Sequence, residues 1–442
     1  MTSLLVELQT EELPPKALHK LSEAFAKNLE KSLASQNFLA DGSVTTVYGS
    51  PRRLAALITN VLPKSPDQAF KQKLVPVRVG LDAEGQPTPA LQKKMKALGI
   101  SAEVSELQRV SDGKNEQLVY EGVRPGVELA VGLQTAIVEA ANNLPIPKVM
   151  HYQLSDGETT VSFVRPVKHL MALYGSDVVP VEFVGLKADR VTMGHRFHTE
   201  GMLSIKSADS YEEQLQTEGK VMPSFEARRA KIVEKCHEMA AAMGGEAIMP
   251  EALIEEVTAL TEWPVVYESS FEEEFLVVPQ ECLILTMQEN QRYFAIKDAQ
   301  GHLMNRFLLI SHLEATDGGD AIRSGNARVV RARLADAKFF YDQDKKTTLE
   351  SRIPELKNVV YHNKLGTQAE RVERVKTIAA RVADLIGANR DEAIRAAQLA
   401  KVDLLTLMVG EFPELQGIMG EYYAKHDGES EDVAKAIREH YQ

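Results

Sequence analysis

The stretch SGNARVVRARLADAKFFYDQD, Ser324 to Asp344, concentrates positive charge at helical spacing. From Ala321 to Tyr341 it holds five bases (Arg323, Arg328, Arg331, Arg333, Lys338) and one acid (Asp336), a balance of +4 on a chain whose net charge is −12. At about 100° per residue, Arg328, Arg331 and Lys338 fall within a quarter-turn of one another. Such a face either binds an anion, for example a nucleic-acid phosphate, or packs against acidic neighbours. Arg333 and Asp336, at i and i+3, have the spacing of an internal pair.

Other basic residues sit at turns. Arg52 and Arg53 follow Gly49-Ser50-Pro51 between two strand-like runs, and Arg165 and Lys168 flank a proline corner. Arg196 lies in GHRFH beside Phe197, a combination that suits RNA stacking, a phosphate contact or a structural ion pair. The histidines of that string, His195 and His198, have no acid or cysteine at ligand spacing, so a metal site is not expected there. His426-Asp427 forms the one literal His-Asp pair, in a polar stretch that reads as loop. The chain has no Walker-type loop, no G-x-S-x-G elbow and no H-E-x-x-H. The short signatures of both aminoacyl-adenylate-forming classes are missing as well. Nucleotide chemistry is therefore expected to lie elsewhere, with no catalytic residue and no cofactor or metal in this chain.

The elements that must carry these residues belong to an ordinary globular chain. Its 442 residues, 44% hydrophobic and 26% charged, allow two to four domains. Acidic overall charge argues against indiscriminate nucleic-acid binding but leaves room for local patches. Cys236 and Cys282 are too few for a disulfide framework and read as buried, reduced thiols. No leader or membrane-length apolar run is evident, which makes a cytoplasmic location the expectation.

The opening pattern is β-α-β-β: Ser3–Gln9, a helix to about Ser35, Val44–Tyr48 and Leu54–Val61. Residues 64–130 read as a small inserted helical module, with Thr88 capping Pro89–Leu98. Tyr293–Ile296 and Phe307–Ser311 read as a hairpin. The charged helix follows from about Asn326, with Val330, Leu334, Ala337 and Tyr341 as its buried stripe. A later helix, Thr367 to Ile386, is expected to bury Val372, Val375, Ala379, Val382 and Ile386. Asp391 is expected to cap the next, through about Met408. The fold class is thus α+β and multidomain, with a mixed region over 1–320 and an all-α part over 321–442.

Longer strings carry a more specific signal: LLVELQTEELPPKAL, YGSPRRLA, FVRPVKHLMALYG, GHRFH, TEWPVV, FLVVPQECL, GNARVVRARLADAKFFYDQD, YHNKLGT and VGEFPELQGIMGEYYA. In this order they resemble the β-subunit family of the bacterial heterotetrameric glycyl-tRNA synthetases, along the whole chain. The resemblance implies a tRNA-handling chain of a glycine–tRNA ligase with two α and two β chains. The α chain would activate glycine with ATP and Mg, and this chain would bind and position tRNA(Gly). It further implies a region like the editing-type domain of the phenylalanyl-tRNA synthetase β chain. A degenerate HD-like helical domain over 321–442 would follow, expected to be incomplete at its C-terminus, with the anticodon-binding part expected to be missing.

At Leu399-Ala400-Lys401-Val402-Asp403, Lys401 and Val402 stand where an active HD helix has its His-Asp ligands. His362 alone holds no metal. Around Lys148–Tyr152 the Arg-Trp pair of many members is absent. An HD-type phosphohydrolase and an editing deacylase are the alternative activities. The tRNA contacts expected under the family reading are Arg328, Arg331, Lys338, Arg165, Arg196, Arg52 and Arg53.

Overall fold

The computed structural model of the chain describes residues 2–111 and 116–441. It resolves into two compact units, Met1–Phe225 and Glu226–Gln442. The position expected as a boundary, 320/321, falls inside the second unit.

In the first unit, β1 (Thr2–Thr10), α1 (Pro15–Ser35), β2 (Thr45–Ser50) and β3 (Arg53–Val61) form the β-α-β-β opening. Prolines sit in the first turn of α1, where a missing N–H costs nothing. Leu18, Leu21, Phe25, Leu29 and Leu33 recur on its buried face. The insertion that follows is a three-stranded sheet with helices: β4 (Gln68–Pro76), α2 (Pro89–Ala97), β5 (Leu107–Ser111) and β6 (Glu116–Arg124), in the order β4-β6-β5. It is therefore mixed rather than helical, although Thr88 does cap α2 by accepting from the Leu91 amide. Leu91, Met95, Leu107 and Leu118 form a small core of its own.

Helix α3 (Leu129–Asn142) lies against α1, where Ser32 donates to the Glu139 carboxylate at 2.5 Å. Strands β7 (Val167–Tyr174) and β8 (Asp177–Val178) complete an antiparallel sheet ordered β8-β7-β1-β3-β2. β1 is paired on both edges and almost wholly buried, so its alternation sorts side chains between two covered faces. Leu5 packs with Tyr48, Met171, Tyr211 and Leu215 on one of them.

The second unit is built on a four-stranded antiparallel sheet. Helix α4 (Phe225–Ala242) leads into β9 (Gly245–Ala247), α5 (Glu251–Leu260), β10 (Val265–Ser270), β11 (Phe294–Asp298) and β12 (Leu303–Ser311), ordered β9-β11-β12-β10. The expected hairpin is β11–β12. Period-two alternation divides its residues cleanly. Phe294, Ile296 and Leu308 pack with Ile232, Cys236, Ile254 and Val257 under α4 and α5. Ala295, Phe307 and Leu309 face the opposite core, shared with everything that follows.

That core joins the sheet to α6 (Asp320–Asp344) and then to α7 (Gln368–Ile386), α8 (Arg390–Leu399), α9 (Leu407–Glu411), α10 (Ile418–His426) and α11 (Glu431–Glu439). Two sequence readings change here. Asn389, not Asp391, caps α8, and that helix ends at Leu399 because the chain tightens into a 3-10 turn over Val402–Leu405. His426 closes α10 rather than lying in a loop, and Asp427 accepts from the Leu349 amide.

Helix α7 also departs from expectation. Of the stripe expected to be buried, Val372 is, while Val375, Val382 and Ile386 are exposed; Ala380 and Ala383 take the core instead. Both cysteines are buried free thiols, and among the described residues no helix is long and apolar enough to cross a membrane.

Candidate nucleic-acid interface

Helix α6 begins earlier than its periodicity indicates. Gly318 and Gly319 both take positive φ, 70° and 93°, the left-handed region where a side chain would be strained. Asp317 then caps the start, accepting from the Gly319 amide at 2.8 Å and the Ala321 amide at 2.9 Å. Those backbone bonds, Ala321 first, hold its carboxyl below the usual range. Negative charge at this end also suits the helix dipole. The expected stripe is in place: Val330, Leu334 and Ala337 are buried and Tyr341 packs against the same core.

At the far end, the carboxyl side chain of Asp344 is buried. It accepts from the Leu407 amide at 2.8 Å, the Met408 amide at 3.0 Å and the Tyr423 hydroxyl at 2.8 Å. Arg352 stands 3.6 Å away. Asp344 thereby supplies the first amides of α9 with an acceptor. Burial, then the adjacent carboxylate, drives the Tyr423 hydroxyl strongly upward. Periodicity gave no signal of this residue, since its partners lie more than 60 positions away.

The cations divide by what they already hold. Arg331 Nε donates to Glu272 at 2.5 Å, and that hydrogen bond holds the Glu272 carboxyl below its usual range. Lys338 meets Asp342 one turn on, at 2.7 Å. Arg323 meets Asp320 at 2.6 Å. Arg328 and Arg333 are exposed and, among the described residues, make no ion pair; the i, i+3 approach of Arg333 to Asp336 is not formed. Beside Arg328 runs a groove of about 290 Å³, lined by Ser269, Ser270, Arg306, Arg323, Ser324 and Ala327 with Glu268. Arg306, on β12, escaped sequence reasoning because strand pairing, not spacing along the chain, brings it to α6.

The remaining candidates lie in the first unit and split again. Arg53 is fully buried: Nε stands 3.3 Å from Glu7, and its other nitrogens donate to Ser50 Oγ and to the Met193 carbonyl. Glu7 also accepts from Thr192 at 2.5 Å and from Tyr211. Burial first, and then Glu7, raises the Tyr211 hydroxyl well above its ordinary value. Arg52 is buried and donates to the Gly194 carbonyl at 3.0 Å. The strings YGSPRRLA and GHRFH therefore meet in a polar core. Arg52 and Arg53 offer no guanidinium to a nucleic acid.

Arg165 and Arg196 remain at the surface and share one residue. Arg165 Nε donates to the Glu12 carbonyl at 3.0 Å, and Arg196 reaches its carboxylate at 2.5 Å. Lys168 pairs with neighbouring Glu11 at 3.0 Å. Phe197 beside them is 62% exposed, while His195 is buried, its ring tilted against that of His198 with centroids 4.6 Å apart.

Lys401 and Asp403 lie at the end of α8. Val402 and Asp403 are fully buried. Asp403 accepts from the Gly417 amide at 2.6 Å and the Gly420 amide at 3.1 Å, yet burial pushes its carboxyl up to about 6. Burial, then nearby Arg371, lowers Lys401 to about 8, with its ammonium 3.6 Å from the centre of the Tyr441 ring. His362 is an exposed strand residue whose Nδ1 accepts from the Lys364 amide. Among the described residues no three His, Cys, Asp or Glu side chains gather as metal ligands do.

Comparison with known proteins places this geometry in context. A family model described as the glycyl-tRNA synthetase beta subunit matches residues 4–442. A glycine–tRNA ligase beta subunit of Ralstonia nicotianae is 52% identical over 447 residues, covering 100% of this chain and 64% of the relative. That of Thiobacillus denitrificans is 54% identical over 443 residues, covering 99% of this chain and 63% of the relative. The chain thus spans just under two thirds of the length of these relatives.

Proposed function

The chain belongs to the glycyl-tRNA synthetase beta subunit family, and from that premise we propose that it serves as the tRNA-positioning subunit of a glycine–tRNA ligase. The reaction is ATP + glycine + tRNA to glycyl-tRNA + AMP + diphosphate. In this reading the adenylate forms on a partner α chain that holds ATP and Mg, in an assembly of two α and two β chains. This chain contributes cations that hold phosphates of tRNA(Gly) and present its acceptor end to that site. The match of one family model across residues 4–442 carries the proposal.

On the molecule, Arg328 and Arg333 on α6 are the cations ready for a phosphate, because no carboxylate has to be displaced first. The serine- and arginine-lined groove beside Arg328 gives a backbone further donors. Arg331 and Lys338 join only when Glu272 and Asp342 release them. Arg165 and Arg196, with exposed Phe197, form a second candidate contact that suits a single-stranded base and its phosphate. In the same reading the first part holds an editing-type region, followed by an HD-like scaffold whose ligand positions hold Lys401 and Val402.

Mixing the chain with the α chain of a family member tests the reading. Complex formation and glycylation of tRNA(Gly) are measured beside a full-length β chain. The expectation is α-dependent glycylation, lowered by Arg328→Ala. A chain that neither joins the α chain nor binds tRNA(Gly) overturns it.

A further inference from the structure

Helix α7 has a second apolar face, about a third of a turn round the helix from the one that reaches the core. Val372, Ala380 and Ala383 are buried. Val375 is 39% exposed, Ile378 61%, Val382 46%, and Leu385 and Ile386 72% each. Val375, Ile378, Val382 and Leu385 recur at intervals of three, four and three, the seam spacing by which one helix receives another. The stripe runs about three turns, roughly 16 Å. An exposed apolar strip of that length and regularity marks a docking surface rather than scattered surface residues.

The charges bordering the stripe define the occupant. Arg371, Arg374 and Arg381 project on the same side, and among the described residues none of them makes an ion pair. Arg374 donates to the Leu365 carbonyl, and Arg371 lies over the Tyr361 ring at 4.4 Å. The acids of α7 are already engaged: Glu370 with Thr367, Glu373 with Lys376, and Asp384 with Arg390. An apolar seam edged by uncompensated arginines fits an amphipathic helix with apolar residues at three-four spacing and Asp or Glu beside them. The relatives supply chain for it, since this one spans about 64% of their length.

We propose that the Val375–Ile386 face of α7 seats an acid-flanked amphipathic helix from the part of the family's β chain that lies outside the matched region. The proposal rests on family membership and is independent of which residues touch tRNA. Such a helix also explains why the apolar period of α7 runs on through residues that stay exposed.

A thiol placed on the seam tests this. Leu385→Cys is introduced, and its maleimide labelling rate is measured in two contexts. One is this chain; the other is this chain carried to full length with the remaining segment of the Thiobacillus denitrificans relative. Cys236 and Cys282 are buried and stay silent. Labelling is expected to slow at least tenfold in the long chain and to recover when Ile378→Asp is added. Circular dichroism shows that each variant is folded, since both sites are exposed. Equally fast labelling in both contexts overturns the proposal. So does protection that rises with the concentration of the short chain, which identifies a second copy, or protection that needs the α chain.

Discussion

If α6 holds tRNA, its cations should contribute unequally to the salt dependence of binding, and the structure ranks them. Each phosphate neutralised on a duplex adds about 0.9 to the slope of log K against log salt. Between about 50 and 200 mM salt, one such contact is worth about a 3.5-fold change in affinity. Arg328 carries no carboxylate, so Arg328→Ala should lower the slope by nearly that full amount. Arg331 must leave Glu272, 2.5 Å from its Nε, before meeting a phosphate. Arg331→Ala should therefore lower the slope by less than half as much, while Glu272→Gln, which frees the guanidinium, should steepen it. The assay is fluorescence anisotropy of labelled tRNA(Gly) with the α-assembled protein over that salt range. An unchanged slope in Arg328→Ala refutes the role of the helix. A larger loss in Arg331→Ala, or no response to Glu272→Gln, refutes the ranking by ion pairing.

Three further outcomes follow from buried charge. Asp344→Ala removes an acceptor of three hydrogen bonds and should cost about 3–5 kcal/mol in urea unfolding, with Leu407 and Met408 the first amides to lose exchange protection; a cost under about 1 kcal/mol contradicts the capping role. Arg53→Met strands Glu7 and should destabilise the first unit by about 3–5 kcal/mol while leaving the tRNA salt slope of the folded protein unchanged; a shallower slope would return Arg53 to the interface. Asp403 titrates near 6 in the native state instead of 3.8, so the native state binds its proton more tightly than the unfolded chain does. The resulting stability is full below about 3.9 and is lost as pH rises through about 6. Relative to Asp403→Asn, the wild type should lose up to about 3 kcal/mol between those limits, and a pH-independent difference would contradict the burial argument.

Legibility followed the range of the interaction. The core stripe of α6, the Thr88 cap and the β11–β12 hairpin were readable because their signals lie within a few residues. The start of α6 was placed late, since Asp317 acts through backbone amides and not through hydrophobic period. On α7 the period was real, but one face of it meets no core among the described residues. Burial of Arg52 and Arg53 was invisible to composition: a basic pair at a turn reads as surface unless Glu7, Thr192 and Tyr211 are known to converge on it. Asp344 and Asp403 were missed for the same reason, their partners being amides brought in by the fold. The split of the cations into engaged and available likewise required Glu272, 59 residues from Arg331.

The two anchored ends of α6 have a mechanical consequence. Twenty-five residues make a rod about 38 Å long, clamped by Asp317 at one end and by Asp344 at the other. A rod built in at both ends resists a transverse load far better than one hinged at a terminus, and Arg328 and Arg333 sit within its span. A polyanion pulling on those side chains meets a stiff beam whose reaction forces fall on the Gly318-Gly319 turn and on the Leu407–Met408 amides. Strain from such a load would collect at those two supports, leaving the exposed cations in fixed register with one another.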